Sequence, residues 1–376
     1  MNEKVMAHHT RFFITMVMLC IPVEAIYAQV GGSKLKLNTG KEIFQAACVS
    51  CHGSDGRGAP RSAVGFDTHL PDFTDCNFAT KEPDIDWSSI IHNGGPARGF
   101  STIMPSFRDA LTDEQIDKLI EYLRGFCGNK AWPRGDLNLP RALITEKAFP
   151  ENEAVISTSF NAQGAPGASN TLIYERRFGA GNQLELSVPY NLVHDAGNWT
   201  SGLGDLAIGY KRLLFHSMRS GSIVSWSGEL TVPTADRTKG TGNGVTVLET
   251  FGSYGQILPS NFFVQFQGGA EFPVHTDLAS KALYARTVFG RSFSGGGGYG
   301  RTWSPMLEAI ADRDLATGAM TNWDLVPQIQ IPFSRRMHIM AGLGVLVPVN
   351  NTAARPKQIM LYLLWDWADG GLRQGW

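Results

Sequence analysis

FVQFQGGAEF, residues 263–272, places Val264, Phe266, Gly268, Ala270 and Phe272 on one parity and Gln265, Gln267, Gly269 and Glu271 on the other. Period two sustained over eight or more residues predicts a strand with one apolar and one more polar face. The pattern recurs on both sides of this stretch. In QLELSVPY, Leu184, Leu186, Val188 and Tyr190 alternate with Glu185, Ser187 and Pro189. Trp323, Leu325, Ile329, Ile331 and Phe333 oppose Asp324, Gln328 and Gln330, and Ile359, Leu361, Leu363, Trp365 and Trp367 share one parity. About twelve such segments follow one another from residue 151 to 376, centred near 156, 174, 188, 209, 228, 252, 267, 287, 307, 327, 343 and 362. At about ten to fourteen residues they exceed the usual five or six of soluble sheets and suit tilted strands crossing a membrane.

The connections test the same reading independently. AGNQ near 181, LPSN (258–261) and SRR (334–336) are tight. The alternate connections, HDAGNWTS (194–201), ADRTKGTGNG (235–244), HTDLASK (275–281), DRDLATGAM (312–320) and NNTAARPK (350–357), are longer and more polar. Short turns at one end and long loops at the other are the habit of outer-membrane barrels. HSMRSGS (216–222) and SGGGGYG (294–300) are exceptions, falling on the short side without being short. A large soluble sandwich or lipocalin-like barrel is the competing fold, but twelve long strands exceed what one soluble barrel normally holds. The aromatic carboxyl end, Trp376, is also frequent in membrane barrels.

Composition agrees. Of 376 residues only 18% are charged and 42 are glycine, with a net charge of -1. The absence of a basic excess argues against a nucleic-acid partner. Lys4 and Arg11 precede the apolar run FFITMVMLCIPV, and Ala25 and Ala28 follow it, as in an export signal over residues 1–28. The run is too short to span a bilayer as a helix. Cys20 suggests a lipoprotein anchor as the alternative, although Leu19 stands where such signals want a small residue.

KEIFQAACVSCHGSDGRGAP, residues 41–60, carries Cys48, Cys51 and His52 as C-x-x-C-H. Two thiols about one helical turn apart can each form a thioether to a haem vinyl group, and the next residue then presents an imidazole to the iron. One covalent haem c is therefore expected. A zinc site would want a second ligand pair at matching spacing, which Cys76 and Cys127 do not provide. In an oxidising compartment those two are expected to form a disulfide, closing a loop of about fifty residues worth about 3 to 4 kcal/mol. LTDEQIDKLIEYLRGFC (111–127) predicts a helix, with Thr112 and Gln115 as a capping box, Leu111 and Ile116 as a staple, and Ile116, Leu119, Ile120, Leu123 and Phe126 along one apolar face. GNKAWPRGDLNLPRALITEKAFPENE (128–153) has no clean period and reads as a linker over 129–150, or as a strap on a neighbouring surface.

Over roughly residues 39–128 the chain resembles the class I c-type cytochromes: Gly40 and Phe44 precede the motif and GSDGRGAP follows it as in the family. The resemblance implies that the Pro60 carbonyl accepts a hydrogen bond from the second ring nitrogen of His52. It also implies that Met104, in GFSTIMPSF, is the sixth iron ligand, with His69 and His92 as competitors and His92 read as a loop residue. GLGDLAIGYKRLL and GELTVPT resemble outer-membrane channel proteins found near aromatic-degradation pathways. The whole plan is similar to the cytochrome-porin fusions of iron-oxidising bacteria, with a larger haem domain and a smaller barrel.

The expected architecture is therefore a small all-α cytochrome domain (39–128) followed by an antiparallel transmembrane β-barrel. The barrel would sit in outer-membrane lipid, with the haem domain on the periplasmic side because an even strand number puts both barrel ends there. A folded domain roughly 25 Å across is too large to plug so narrow a lumen, whereas parts of 129–150 can enter it. No acid-base pair or nucleophile motif stands out in the barrel. An electron-transfer protein exchanging electrons with periplasmic carriers, or with a small donor arriving through the barrel, is expected before an enzyme. A channel for small, possibly aromatic, solutes with the haem domain as gate or redox sensor is the alternative.

Overall fold

The computed structural model describes residues 37–65, 70–195 and 197–366, which belong to one compact unit. The export signal at 1–28, Cys20, His69, Trp367 and Trp376 lie outside the described residues.

Among the described residues six α-helices come first: α1 (Gly40–Ala47), α2 (Val49–His52), α3 (Arg61–Val64), α4 (Cys76–Ala79), α5 (Asp84–Asn93) and α6 (Asp113–Arg124). The capping box of α6 forms between Thr112 and Gln115, and a second one, between Thr39 and Glu42, starts α1. Helices α1 and α6 cross at Gly40, where an added Cβ would lie 2.0 Å from the Lys118 carbonyl oxygen. One turn on, Phe44 meets Tyr122 and Phe126 with ring centroids 5.5 and 5.4 Å apart. Ile43, Phe44, Phe73, Trp87, Leu111, Ile116 and Leu119 make the buried centre of this unit. Arg124 ties α6 to α5: its guanidinium lies 4.0 Å from the Trp87 ring and donates to Asp84 Oδ1 at 3.0 Å.

The strands follow: β1 (Glu153–Asn161), β2 (Gly167–Phe178), β3 (Asn182–Asp195), β4 (Asn198–Leu203), β5 (Leu206–Ser217), β6 (Ser222–Val232), β7 (Val247–Ile257), β8 (Phe262–Pro273), β9 (Ala282–Arg291), β10 (Phe293–Ser294), β11 (Thr302–Asp314), β12 (Asn322–Pro332), β13 (Ile339–Pro348) and β14 (Gln358–Asp366). Twelve close into an antiparallel barrel, each pairing with the next in the chain, with β9 on β11 across β10 and β14 back on β1. Strand β4 extends the sheet beside β3, and β10 pairs with the start of β11. Closure leaves the ring without a free edge. Each of the twelve centres expected from the alternation falls inside one ring strand.

The alternation is inside out relative to a soluble barrel. Phe266 and Phe272 are 43% and 42% exposed on the outer surface, whereas Gln265 and Gln267 are 2% and 0% exposed in the interior. Leu184, Leu307 and Leu343 likewise stand exposed while Gln183, Glu308 and Gln330 are buried. One end of the barrel carries the connections at 179–181, 218–221, 258–261, 292–301 and 333–338, together with the start of β1 and the end of β14. HSMRSGS is shorter than its polarity suggested: β5 runs on to Ser217, past a register shift between Leu213 and Phe215, so the turn is only 218–221.

Between helices and barrel, residues 138–152 dip into the lumen as a strap and return to the same end, where Lys147 donates to Asn138 Oδ1 at 3.1 Å. Extended backbone inside a barrel needs partners for its polar groups, and the inward polar side chains supply them. Gln265 donates to the Pro140 carbonyl at 2.8 Å, and Tyr362 donates to that of Arg141 at 2.8 Å. The Leu143 amide donates to Gln328 at 2.8 Å, Thr145 to Glu308 at 2.6 Å and Glu151 to Gln183 at 2.6 Å. Arg141 pairs with Glu153 and Glu175, and Lys147 with Glu151. Leu139 and Ala142 pack on Phe263, Val288 and Met306.

Candidate functional site

Helix α1 ends at Ala47, and the single turn of α2 begins after Cys48. The amides of Cys51 and His52 both donate to the Cys48 carbonyl, at 3.2 and 2.9 Å, so the two thiols share one helical turn. The chain then folds back over the motif: Gly58 donates to the His52 carbonyl at 2.9 Å and Ala59 to that of Cys51 at 2.7 Å. Cys48 and Cys51 are free thiols, whereas Cys76 is disulfide-bonded to Cys127. Burial, with Cys51 adding to it, pushes the Cys48 thiol up to about 11. Burial also holds the His52 imidazole below its ordinary value, favouring the neutral ring that can ligate a metal.

The expected bond from His52 to Pro60 is not made. The Pro60 carbonyl accepts the Ala63 and Val64 amides at 2.8 and 3.3 Å, because Pro60 opens α3, and His52 Nδ1 is buried without a hydrogen-bond partner. The His52 ring instead lies 5.1 Å from that of Phe73.

Met104 packs against the same apolar cluster as Cys48 and Val49. Its loop is stitched to the end of α5: the Gly95 amide donates to the Met104 carbonyl at 3.0 Å, and Phe107 and Arg108 donate to the carbonyls of Ile91 and His92 at 3.0 and 3.1 Å. Gly95 is required there, since an added Cβ would lie 2.2 Å from the Ser101 carbonyl oxygen. His92 is not the loop residue the sequence suggested. It sits in the last turn of α5, its ring stacked on Tyr299 at 3.9 Å and its Nδ1 2.9 Å from Asn93 Oδ1.

Two free thiols on one turn, the adjacent imidazole with its orphaned buried nitrogen, and the neighbouring cluster of packed rings, Phe44, Phe73, Trp87 and Phe126, fit a covalently attached haem. When bound, haem supplies one-electron iron chemistry. Cys48 and Cys51 would hold its periphery and His52 its iron, and the surrounding rings would keep water from it.

Residues 37–126 match the family model for cytochrome c. Those residues form a cytochrome c domain. Among curated proteins, one of the subunits of nicotinate dehydrogenase from Pseudomonas putida is 33% identical over 107 residues, 26% of this chain and 8% of that protein. The chain thus spans only a small part of that relative's length. Solved structures similar to this chain include the KdgM porin (8% identity, 57% of this chain and 99% of that one, TM-score 0.38). The NanC porin (7%, 57% and 98%, TM-score 0.40) and LpxR from Salmonella typhimurium (10%, 57% and 100%, TM-score 0.38) are similar in the same way.

The cytochrome domain is docked on the barrel end that carries the shorter connections. Arg98 Nε donates to Asp86 Oδ1 at 2.7 Å in a pair whose side chains are 3% and 6% exposed. The rest of the guanidinium donates to the carbonyls of Tyr299 and Gly300, at 3.2 and 3.1 Å, in the β10–β11 connection. Ser89 adds a bond to the Tyr299 carbonyl at 2.7 Å, and the Tyr299 hydroxyl donates to Asp113 at 2.8 Å. His338, beside the β12–β13 turn, lies 3.3 Å from Glu82. SGGGGYG is long for its end of the barrel because it carries Tyr299 into the helical domain.

Proposed function

We propose that this protein is a monohaem cytochrome held at the periplasmic face of the outer membrane by its barrel, and that it exchanges electrons with periplasmic carriers. The observation that carries this reading is the buried Arg98–Asp86–Tyr299 contact, which seats the cytochrome domain on the same barrel end as the start of β1 and the end of β14. A ring of even strand number opens and closes on one side, and in exported barrels the short turns are periplasmic. The apolar exterior with a polar interior supports lipid as the barrel's surroundings, since closure satisfies every strand and the outer residues need no water.

The lumen strap favours an anchor over an open solute channel. Residues 139–147 enter the interior from the end that carries the cytochrome domain, reach the middle of the strands and bond to inward side chains of β8, β11, β12 and β14. A single haem at one mouth also does not bridge an apolar band about 25 Å tall, which favours periplasmic carriers over an external donor. In whole cells, an impermeant external reductant should leave the haem oxidised, whereas a reduced periplasmic carrier added to opened cells should reduce it. Rapid reduction by the impermeant donor in intact cells would contradict the periplasmic assignment.

A further inference from the structure

The segment bearing Met104 is held by the barrel as well as by its own domain. Residues 95–104 lie between α5 and two barrel connections. Arg336, in the β12–β13 turn, places its guanidinium 4.1 Å from the Phe100 ring and donates to the Gly99 carbonyl at 3.4 Å. Tyr299, in the β10–β11 connection, stacks on His92 at 3.9 Å, and His92 in turn offers its carbonyl to Arg108 and to Ser106 Oγ, just past Met104. Arg98 closes the short helical turn that precedes Phe100 and anchors it to the Tyr299 and Gly300 carbonyls. Inside the domain the loop is held by Gly95 to the Met104 carbonyl, Phe100 to the Gly95 carbonyl and Met104 to the Ser101 carbonyl, with Ser106, Phe107 and Arg108 bonded to the end of α5 just beyond it, so the barrel contacts add to bonds the domain already makes. Phe100 and Ile103 are 38% and 41% exposed, so burial alone does not fix it.

We propose that Tyr299 and Arg336 of the barrel are positioning residues for the sixth iron ligand, holding the Met104 loop in its ligating position and thereby setting the haem's potential. The inference rests on the reading of Met104 as that ligand. Loss of the thioether lowers the potential and opens an iron position. The barrel is then part of the redox centre's tuning and not only its anchor.

The test uses the full-length haem-loaded protein in detergent, comparing wild type with Tyr299→Ala/Arg336→Ala, with the conservative pair Tyr299→Phe/Arg336→Lys, and with Met104→Ala. The readouts are the methionine-to-ferric-iron absorption band, the midpoint potential and carbon monoxide binding to the reduced protein. Removing a cation-aromatic contact, a ring stack and two hydrogen bonds should raise the carbon monoxide-binding fraction about tenfold and lower the potential, with the conservative pair close to wild type. Haem staining and heat-modifiable migration confirm that both domains are folded, and if the double alanine variant does not fold, Arg336→Ala alone gives the same readouts. A folded variant with unchanged band, potential and carbon monoxide binding would overturn the proposal. If Met104→Ala itself leaves the wild-type band unchanged, the assignment of Met104 fails, and this inference with it.

Discussion

Arg98→Met should uncouple the cytochrome domain from the barrel. The substitution keeps most of the side chain's volume but removes three donors from a site where Arg98 is 2% and Asp86 5% exposed. It leaves the Asp86 carboxylate buried without its cation, and removing one partner of a buried ion pair costs about 3–5 kcal/mol. Both carbonyls lose their Arg98 donor, but that of Tyr299 keeps its bond from Ser89, so the further cost falls on the Gly300 carbonyl, about 1 kcal/mol where water can reach it. A loss of about 4–6 kcal/mol is expected, read from denaturant unfolding of the cytochrome domain in detergent by haem absorption. Asp86→Asn combined with Arg98→Met removes the stranded charge and should recover about half of it, so the double variant should fall short of the sum of the two single variants by at least about 2 kcal/mol. Arg98→Met costing under about 1 kcal/mol, or two strictly additive substitutions, would refute the reasoning.

Replacing Cys76 and Cys127 by Ser opens a cross-link spanning 51 residues and should cost about 4 kcal/mol in the loop-entropy model, visible as a lower denaturant midpoint; an unchanged midpoint contradicts it. Burial alone would raise Glu82, but His338, Lys81 and Arg124 outweigh it and hold the carboxyl below its usual value of 4.5. Its contribution to docking is therefore complete above about pH 4.5 and lost as the pH falls through the lowered value, and Glu82→Gln should flatten that acid limb of the unfolding midpoint. Arg141→Met strands Glu175 and weakens the neutralisation of Glu153 inside the lumen. It should cost about 3 kcal/mol, lowering the temperature at which the folded barrel converts to its slower-migrating unfolded form.

Period two was enough to locate the barrel because most ring strands alternate between Gln-, Ser- or Glu-bearing interior positions and apolar exterior ones, as at Gln265 and Phe266, and where the interior side carries Gly342 and Gly344 instead, in β13, Leu343 and Val345 still mark the exterior one. Thr112 and Gln115 announced α6 because a capping box is local. The Thr39–Glu42 box of α1 is equally local, in TGKE, and was readable. That parts of 129–150 enter the lumen was legible from its narrowness, but not what holds them there: the segment's charges resemble a solvated linker, and only the interior glutamates and glutamines of distant strands show what neutralises them. Tyr299 and Arg98 were missed because their bonds join positions about 200 residues apart. The one legible hint was SGGGGYG, too long for its end of the barrel. His92 escaped because its partner, Tyr299, lies in that same loop.

Fractionation of expressing cells, followed by haem staining of samples run with and without boiling, tests the union of haem domain and membrane barrel most directly. Covalent haem is predicted in the outer-membrane fraction, on a band of the full chain that changes mobility on boiling as a folded barrel opens. Haem staining confined to the soluble periplasmic fraction, or to a membrane band that boiling does not shift, would contradict it.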